Sequence, residues 1–209
     1  AVKEGRTCET CNVYNMLRLT RRLFALRPDA HYADFHERAL FNHILASQDP
    51  NDGWACYMVP VGRAVQHEYE RNMRDGSFTC CTGSSMESHA LHADGIYYES
   101  GDTLWVNLYA PSTAEWAGAG IKLAVETGFP EGESATIKLT AKSPKEFTLA
   151  LRKPYWVGDG FAVKVNGQAV SEDVIDPYRG VPESGRPRRD RQRGIQGPSS
   201  YVELKRTWR

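Results

Sequence analysis

Near Gly101 the apolar residues change their spacing, and this constrains the chain more than any other feature. Before it they recur at the helical period of about 3.6, and beyond it at the strand period of about 2. The chain is therefore read as α+β, with a helical part over 1–100 followed by an antiparallel β-sandwich over 101–209. In 12–26, "NVYNMLRLTRRLFAL" sets Val13, Met16, Leu17, Leu23 and Phe24 near one face and Arg18, Arg21 and Arg22 largely on the other. "RPD" breaks that helix, and Asp29 is a natural N-cap for a second through "AHYADFHERALFNHILA", where Tyr32, Phe35, Ala39, Leu40 and Ile44 share helical spacing. The two read as a helical hairpin. "SQDPNDG" is a turn cluster, and "WACYMVPV" suits a strand or an extended loop. "SSMESHALHADGIYY" opens on serine caps and carries Met86, Ala90, Leu91, Ala93 and Ile96 into a third helix.

Beyond Gly101, "TLWVNLYA", "GIKLAVETGF", "SATIKLTA", "EFTLALRKP" and "FAVKVNGQAV" alternate or run apolar at strand length, and Asn166-Gly167 is a strong hairpin-turn dipeptide. The stretch 179–198, "RGVPESGRPRRDRQRGIQGP", carries six arginines against Glu183 and Asp190 with four glycines and three prolines, and is expected to be a disordered, solvated insert. "SYVELKRTWR" resumes the strand pattern. The formal net charge is zero and the arginines lack interleaved aromatics, which argues against a nucleic-acid partner. No apolar run approaches the roughly 18 residues that span a bilayer, and the first residues lack the layout of a signal peptide.

Five cysteines are an odd number and too sparse for a disulfide scaffold, which favours a reducing compartment such as the cytoplasm and metal-bound or catalytic thiols. Four of them fall in two clusters, Cys8 and Cys11 in "CETCNVYNML" and Cys80 and Cys81 in "SFTCCTGS". Zinc takes four donors from Cys, His, Asp and Glu, and two close pairs on separate segments, here with Glu9 beside Cys11, are a common source of them. Adjacent cysteines reach one ion only where the backbone turns, which Ser77, Thr82 and Gly83 ease. Spacing alone leaves two alternatives open: buried free thiols, or a redox pair of Cys8 and Cys11. His89 and His92 share a helix face with Glu87 nearby and could hold a metal, but their separation falls short of the His-Glu-x-x-His pattern, and hydrogen-bonded packing is the better reading. His36, Glu37 and Arg38 are charged or titratable residues on an amphipathic helix, where such groups usually face water, and His31, His43 and His67 have no partner that sequence identifies.

"CETCNVYNMLRLTRRLF", "YADFHERALFNHIL", "FTCCTGSSMESHALHADGIYYESGDTLWVNLY", "LALRKPYWV" and "VKVNGQAV" together resemble the zinc-dependent β-L-arabinofuranosidases of glycoside hydrolase families 127 and 146, across nearly the whole chain and in the same order. The resemblance implies the last helices of an (α/α)6 barrel followed by a β-sandwich. It implies Zn²⁺ held by Glu9, Cys11, Cys80 and Cys81, with Cys8 left over. It implies Cys80 as the nucleophile of a retaining glycosidase, a cysteine where a carboxylate is usual. Glu37 and Tyr57 fall where family residues touch the sugar, and the implied substrate is a β-L-arabinofuranosyl oligosaccharide or glycoconjugate.

The insert at 179–198 has no counterpart in the resemblance. The family's general acid/base is a glutamate upstream of the Glu-Thr-Cys motif; Glu4 is too near Glu9 to be it, so that carboxylate is expected before residue 1. A barrel of twelve helices is represented by three or four, so uncovered apolar faces are expected, to be met by more of the barrel or by a partner such as a second copy in a homodimer. The readings of function stand in this order: a zinc β-L-arabinofuranosidase, a non-catalytic carbohydrate-binding or structural β-sandwich module, and a redox protein using Cys8 and Cys11.

Overall fold

The structure is a computed structural model that describes residues 6–60, 69, 78–144, 146–170 and 199–206. The arginine-rich stretch 179–198, His67 and Ser77 lie outside the described residues. Two compact units meet in sequence between Gly95 and Ile96, and each is described by itself. Among the described residues no helix is long and apolar enough to cross a membrane.

The first unit is helical with one small sheet. Strand β1 (Arg6–Glu9) pairs antiparallel with β2 (Met58–Pro60), Glu9 facing Met58. β1 runs straight into helix α1 (Thr10–Leu26) through Glu9, whose extended backbone ends the strand and opens the helix. The buried stripe of α1 is Thr10, Tyr14, Leu17, Thr20 and Phe24. This corrects the expected face: Met16 is exposed, and Val13 and Leu23 are only partly covered. The face is turned because its polar members are satisfied in place. Thr10 Oγ1 donates to the Cys56 carbonyl at 2.7 Å, and Thr20 Oγ1 donates to the Met16 and Leu17 carbonyls.

Helix α2 (Ala30–Ala39) starts on Asp29, which accepts from the His31 N–H at 2.9 Å, as its sequence suggests. It then widens into a π-helical turn over Leu40–Ile44 and tightens into a 3₁₀ turn over Leu45–Ser47. Its inner side holds Asp34, His36 and Glu37 alongside Ala33 and Ala39, so His36 and Glu37 are buried where the amphipathic reading put them in water. Helix α3 spans Cys80–Ala90, which corrects both its start and its face. The helix begins at the cysteine doublet instead of after it, capped by Thr79 rather than by a serine. Cys81, Thr82, Ser84, Ser85 and Ser88 point inward while Met86 and Ala90 are exposed. Gly95 closes the unit with φ +84°, and a Cβ there would stand 3.1 Å from the His36 ring.

The second unit is all β. Its larger sheet has the order β10-β9-β11-β7-β6-β5, built from β5 (Ser112–Trp116), β6 (Ile121–Thr127), β7 (Ser134–Ala141), β9 (Phe161–Val165), β10 (Gln168–Ala169) and β11 (Ser199–Arg206). A three-stranded sheet, β3 (Tyr97–Ser100), β4 (Thr103–Val106) and β8 (Thr148–Leu151), shares its core. Strands β6 and β7 alternate buried and exposed residues as their sequences predict. Asn166 (φ 51°) and Gly167 (φ 82°) make the expected hairpin turn between β9 and β10. Two details differ from the expected antiparallel sandwich. Tyr97 and Tyr98 belong to β3, not to the third helix, and β4 pairs with β8 in parallel. Ile121, Ile137 and Val106 are wholly buried between the sheets, with Trp116 edge-on to Phe147 at 5.7 Å.

Ile137→Ala is expected to lower stability by about 2–5 kcal/mol, since it leaves a cavity in a closed core, whereas Met86→Ala should change it by no more than about 0.5 kcal/mol. Urea unfolding of the two variants distinguishes the sites.

Candidate metal centre

Two helix starts meet in the first unit. Glu9 is the N-cap of α1 and Cys11 lies in its first turn; Cys80 and Cys81 are the first two residues of α3. Thr79 keeps an extended backbone, φ −84° and ψ 168°, and its hydroxyl accepts from the Thr82 N–H at 3.3 Å. The backbone turn that two adjacent cysteines need is therefore the corner at Thr79, where extended backbone enters the helix. Gly83 lies inside the helix, where its missing side chain leaves room for the Phe78 ring, 3.3 Å from where a Cβ would be.

The four donor atoms lie within 4.8 Å of one another. Cys80 Sγ stands 3.5 Å from Cys11 Sγ, 4.0 Å from Cys81 Sγ and 3.9 Å from Glu9 Oε1. With zinc–ligand bonds of about 2.0–2.3 Å, a tetrahedral shell has ligand-to-ligand edges of about 3.5–3.8 Å, near the separations of Cys80 Sγ from the other three donors, so the set can gather around one ion. The electrostatics agree. Burial, followed by hydrogen bonding and charge from Cys80 and Cys81, pushes the Cys11 thiol up to about 12. Burial also raises Cys81, against the opposing pull of the Cys11 backbone N–H. Three sulfurs and a carboxylate this close cannot all be anionic unless a cation stands among them, and the positive ends of two helices favour the same ionised state. The donor set thus fits the zinc that the sequence resemblance implied.

Local structure fixes the second half of the site. The Thr10 N–H donates to the Tyr57 carbonyl at 3.1 Å, which ties the segment before β2 to the start of α1, and the Cys56 N–H donates to the Ser47 carbonyl at 2.7 Å, which ties it to the 3₁₀ turn after α2. This brings the Tyr57 hydroxyl onto Glu9. The hydrogen bond it donates to that carboxylate, with the charges of Glu9 and Cys80, raises the phenol to about 12. Tyr57 therefore touches the donor group through Glu9, a contact no spacing in the sequence signals.

The remaining expected residues separate. Cys8 is on β1 outside the four-donor group, and Cys56 is buried with its thiol on the Met58 carbonyl at 3.0 Å. Glu37 is buried on α2 and is not one of the four donors. His89 and His92 form the hydrogen-bonded pair expected of them, Nδ1 to Nε2 at 3.1 Å with rings edge to face. Thr79 before the doublet is a strong N-cap type and a sequence signal for the start of α3, whereas the pairing of Tyr14 on α1 with Glu87 on α3 spans 73 residues and comes only from the fold.

Family comparisons bear on this geometry. The model of the β-L-arabinofuranosidase GH127 catalytic domain matches residues 2–94, and that of the GH127 middle domain matches residues 103–209. Among solved structures, a GH127 β-L-arabinofuranosidase from Geobacillus stearothermophilus T6 is 26% identical, with a TM-score of 0.73 over 95% of this chain and 31% of its own. A GH127 β-arabinofuranosidase is 28% identical, with a TM-score of 0.75 over 96% of this chain and 32% of its own. A further glycoside hydrolase, 22% identical with a TM-score of 0.72, shares the fold. This chain spans about a third of the length of these solved relatives. A comparison with curated protein sequences found no match.

Two measurements follow from the site. Metal-free chain should lose Cys80, the exposed sulfur of the set, to alkylation first, and stoichiometric zinc should protect Cys11, Cys80 and Cys81 together while leaving Cys8 unchanged, as peptide mapping would read. Separately, burial holds His43, His89 and His92 below their ordinary value of 6.5, with the charge of His92 adding to the effect at His89. The unfolded chain then binds protons that the folded chain refuses, so stability is full above about pH 6.5 and falls as pH drops below it. Urea midpoints at pH 7 and 5 should show the loss, and His92→Gln should flatten it.

Proposed function

Because the chain belongs to the β-L-arabinofuranosidases of glycoside hydrolase family 127, we propose that it carries the metal-thiolate half of a retaining glycosidase acting on β-linked L-arabinofuranose. The observation that carries this reading is the Glu9–Cys11–Cys80–Cys81 group, four donors from two helix starts within 4.8 Å. Zinc, when bound there, supplies the positive charge that keeps the sulfurs as thiolates at neutral pH.

Cys80 is the nucleophile in this proposal, since it is the exposed sulfur of the set while Cys81 is fully buried. Its sulfur attacks the anomeric carbon, a carbon–sulfur bond forms, and the bond to the leaving oxygen breaks, that oxygen taking a proton from a general acid. Water then attacks the same carbon from the opposite side and gives its proton to the same group now acting as base. The carbon–sulfur bond breaks, Cys80 regains its electron pair, and two inversions leave the configuration retained. Cys11 and Cys81 hold Cys80 in place, and Tyr57 keeps Glu9 turned to the group and out of the substrate's way. Glu37, buried on α2, is proposed as a hydroxyl-binding residue. The acid itself is proposed to come from outside the four-donor group, because Glu9 is committed to the centre.

The test uses zinc-loaded chain and an aryl β-L-arabinofuranoside whose leaving group departs without a proton, so the general acid is not needed. Cys80→Ala should retain the ion and lower turnover by a factor on the order of 10³ or more. Equal turnover by the variant, or labelling of a different residue by a mechanism-based reagent, would overturn the assignment. Arabinoside binding without turnover that survives both Cys80→Ala and chelation would favour a sugar-binding role instead.

A further inference from the structure

The inner face of α3 has an unusual make-up for a helix that must hold two metal ligands in register. Its buried residues are Cys81, Thr82, Ser84, Ser85 and Ser88, all small. Small side chains let α3 approach its neighbours closely, but they offer no large knobs to resist sliding or rolling along α1. Cys80 and Cys81 sit together in the first turn, so any such movement carries both sulfurs away from Cys11 and Glu9 at once. A tetrahedral shell tolerates displacements of only about 0.2 Å. Something other than side-chain bulk has to set the register.

We infer that Tyr14 and Glu87 are positioning residues of the metal centre, a hydrogen-bonded staple that fixes the rotation and offset of α3 against α1. This rests on the reading of Glu9, Cys11, Cys80 and Cys81 as a metal site. Tyr14 lies three residues beyond Cys11 and is 8% exposed; its hydroxyl donates to Glu87 Oε2, six residues beyond Cys81 on α3. Arg18, one turn further along α1, donates from Nη1 to the same hydroxyl oxygen at 2.8 Å and lies with its guanidinium carbon 5.5 Å from the Tyr14 ring centre. The phenol therefore uses its donor and an acceptor position, both toward charged groups, in a charge-assisted chain from Arg18 to Glu87. Cation and ring hold Tyr14 in its rotamer from the α1 side. The staple joins the two helices directly behind the turns that present the sulfurs, so the helices keep their register before any ion arrives.

The experiment uses Co²⁺ as the probe on the full chain, with affinity read by chelator competition and geometry by the thiolate-to-cobalt absorption bands. Tyr14→Phe and Glu87→Ala should each weaken Co²⁺ binding by about 10-fold or more and shift the bands, in the range typical for residues supporting a metal's ligands. Glu87→Gln keeps an acceptor for the phenol and should stay within about threefold of the parent. The double variant Tyr14→Phe/Glu87→Ala should be no weaker than the poorer single, because both remove the same Tyr14–Glu87 bond. Asp94→Asn, which breaks the 3.5 Å pair between the exposed Asp94 and the partly buried Arg21 elsewhere in the same unit, should leave affinity and bands unchanged. Glu87 is exposed, so its variants report on the centre even if Tyr14→Phe lowers folding stability. Parent-like Co²⁺ affinity and spectrum in Tyr14→Phe and Glu87→Ala would overturn the staple while the metal centre stands, as would fully additive losses. A parent chain that binds no Co²⁺ would instead overturn the metal reading beneath it, and the staple with it.

Discussion

The helical unit depends on one electrostatic constraint: three sulfurs and a carboxylate are brought together where each makes the others harder to ionise. Burial and mutual repulsion already hold Cys11 at about 12 and raise Cys81. Such a group is unfavourable as a set of anions, and a cation placed among the four donors would relieve that cost. The fold builds this group by pointing two helix starts at one place. The N-cap and first turn of α1 and the first turn of α3 supply all four donors, and both helices present the positive end of their backbone dipoles. The strand pair β1–β2 and the Thr10 hydrogen bonds then deliver Tyr57 to Glu9, which makes the small sheet a support for the centre.

The helices of this unit also bury polar groups. On α1 the inward residues include Thr10, Tyr14 and Thr20; on α2 they include Asp34, His36 and Glu37; on α3 they are almost all hydroxyls. Each such group requires a partner, and its specificity comes from direction instead of area. The sandwich unit solves the opposite problem. Its core is Ile121, Ile137, Val106, Leu123 and Leu139, stabilised by removal of apolar surface from water, with few polar groups inside. One of these, Arg152, donates from Nε to the Asn107 carbonyl while the Tyr109 hydroxyl donates to the Arg152 carbonyl. A close-packed apolar core tolerates no directional chemistry, and the donor group of the chain lies in the other unit.

The sequence was legible where side-chain period alone decides structure. The strands from β6 to β9, the Asn166-Gly167 turn and the Asp29 cap follow from local rules that hold in any context. It misled where tertiary contacts reassign a face. Met16 and Met86 are apolar at helical spacing yet exposed, while His36 and Glu37 are polar yet buried, because the packing of whole helices decides which face is covered. β5 lay unread in "STAEW", whose partners Ile121–Val125 are the reason it pairs as a strand. The parallel pairing of β4 with β8 was equally hidden, since period fixes strand character but not direction.

By itself the sequence determined the donor types, the switch from helix to strand and the family whose pattern those residues share. Residue identity and local spacing are carried by the chain whatever its shape. Only the tertiary structure decided that Cys80 Sγ comes within 3.5 Å of Cys11 across 69 residues, that Cys8 and Cys56 stay apart from that group, and that Tyr57 turns to Glu9. It also decided that β11 slots between β7 and β9, a place that chain order gives no hint of. Contacts so distant along the chain are set by how whole elements pack and by which hydrogen bonds that packing leaves to be made, and neither quantity is written in any short stretch of residues.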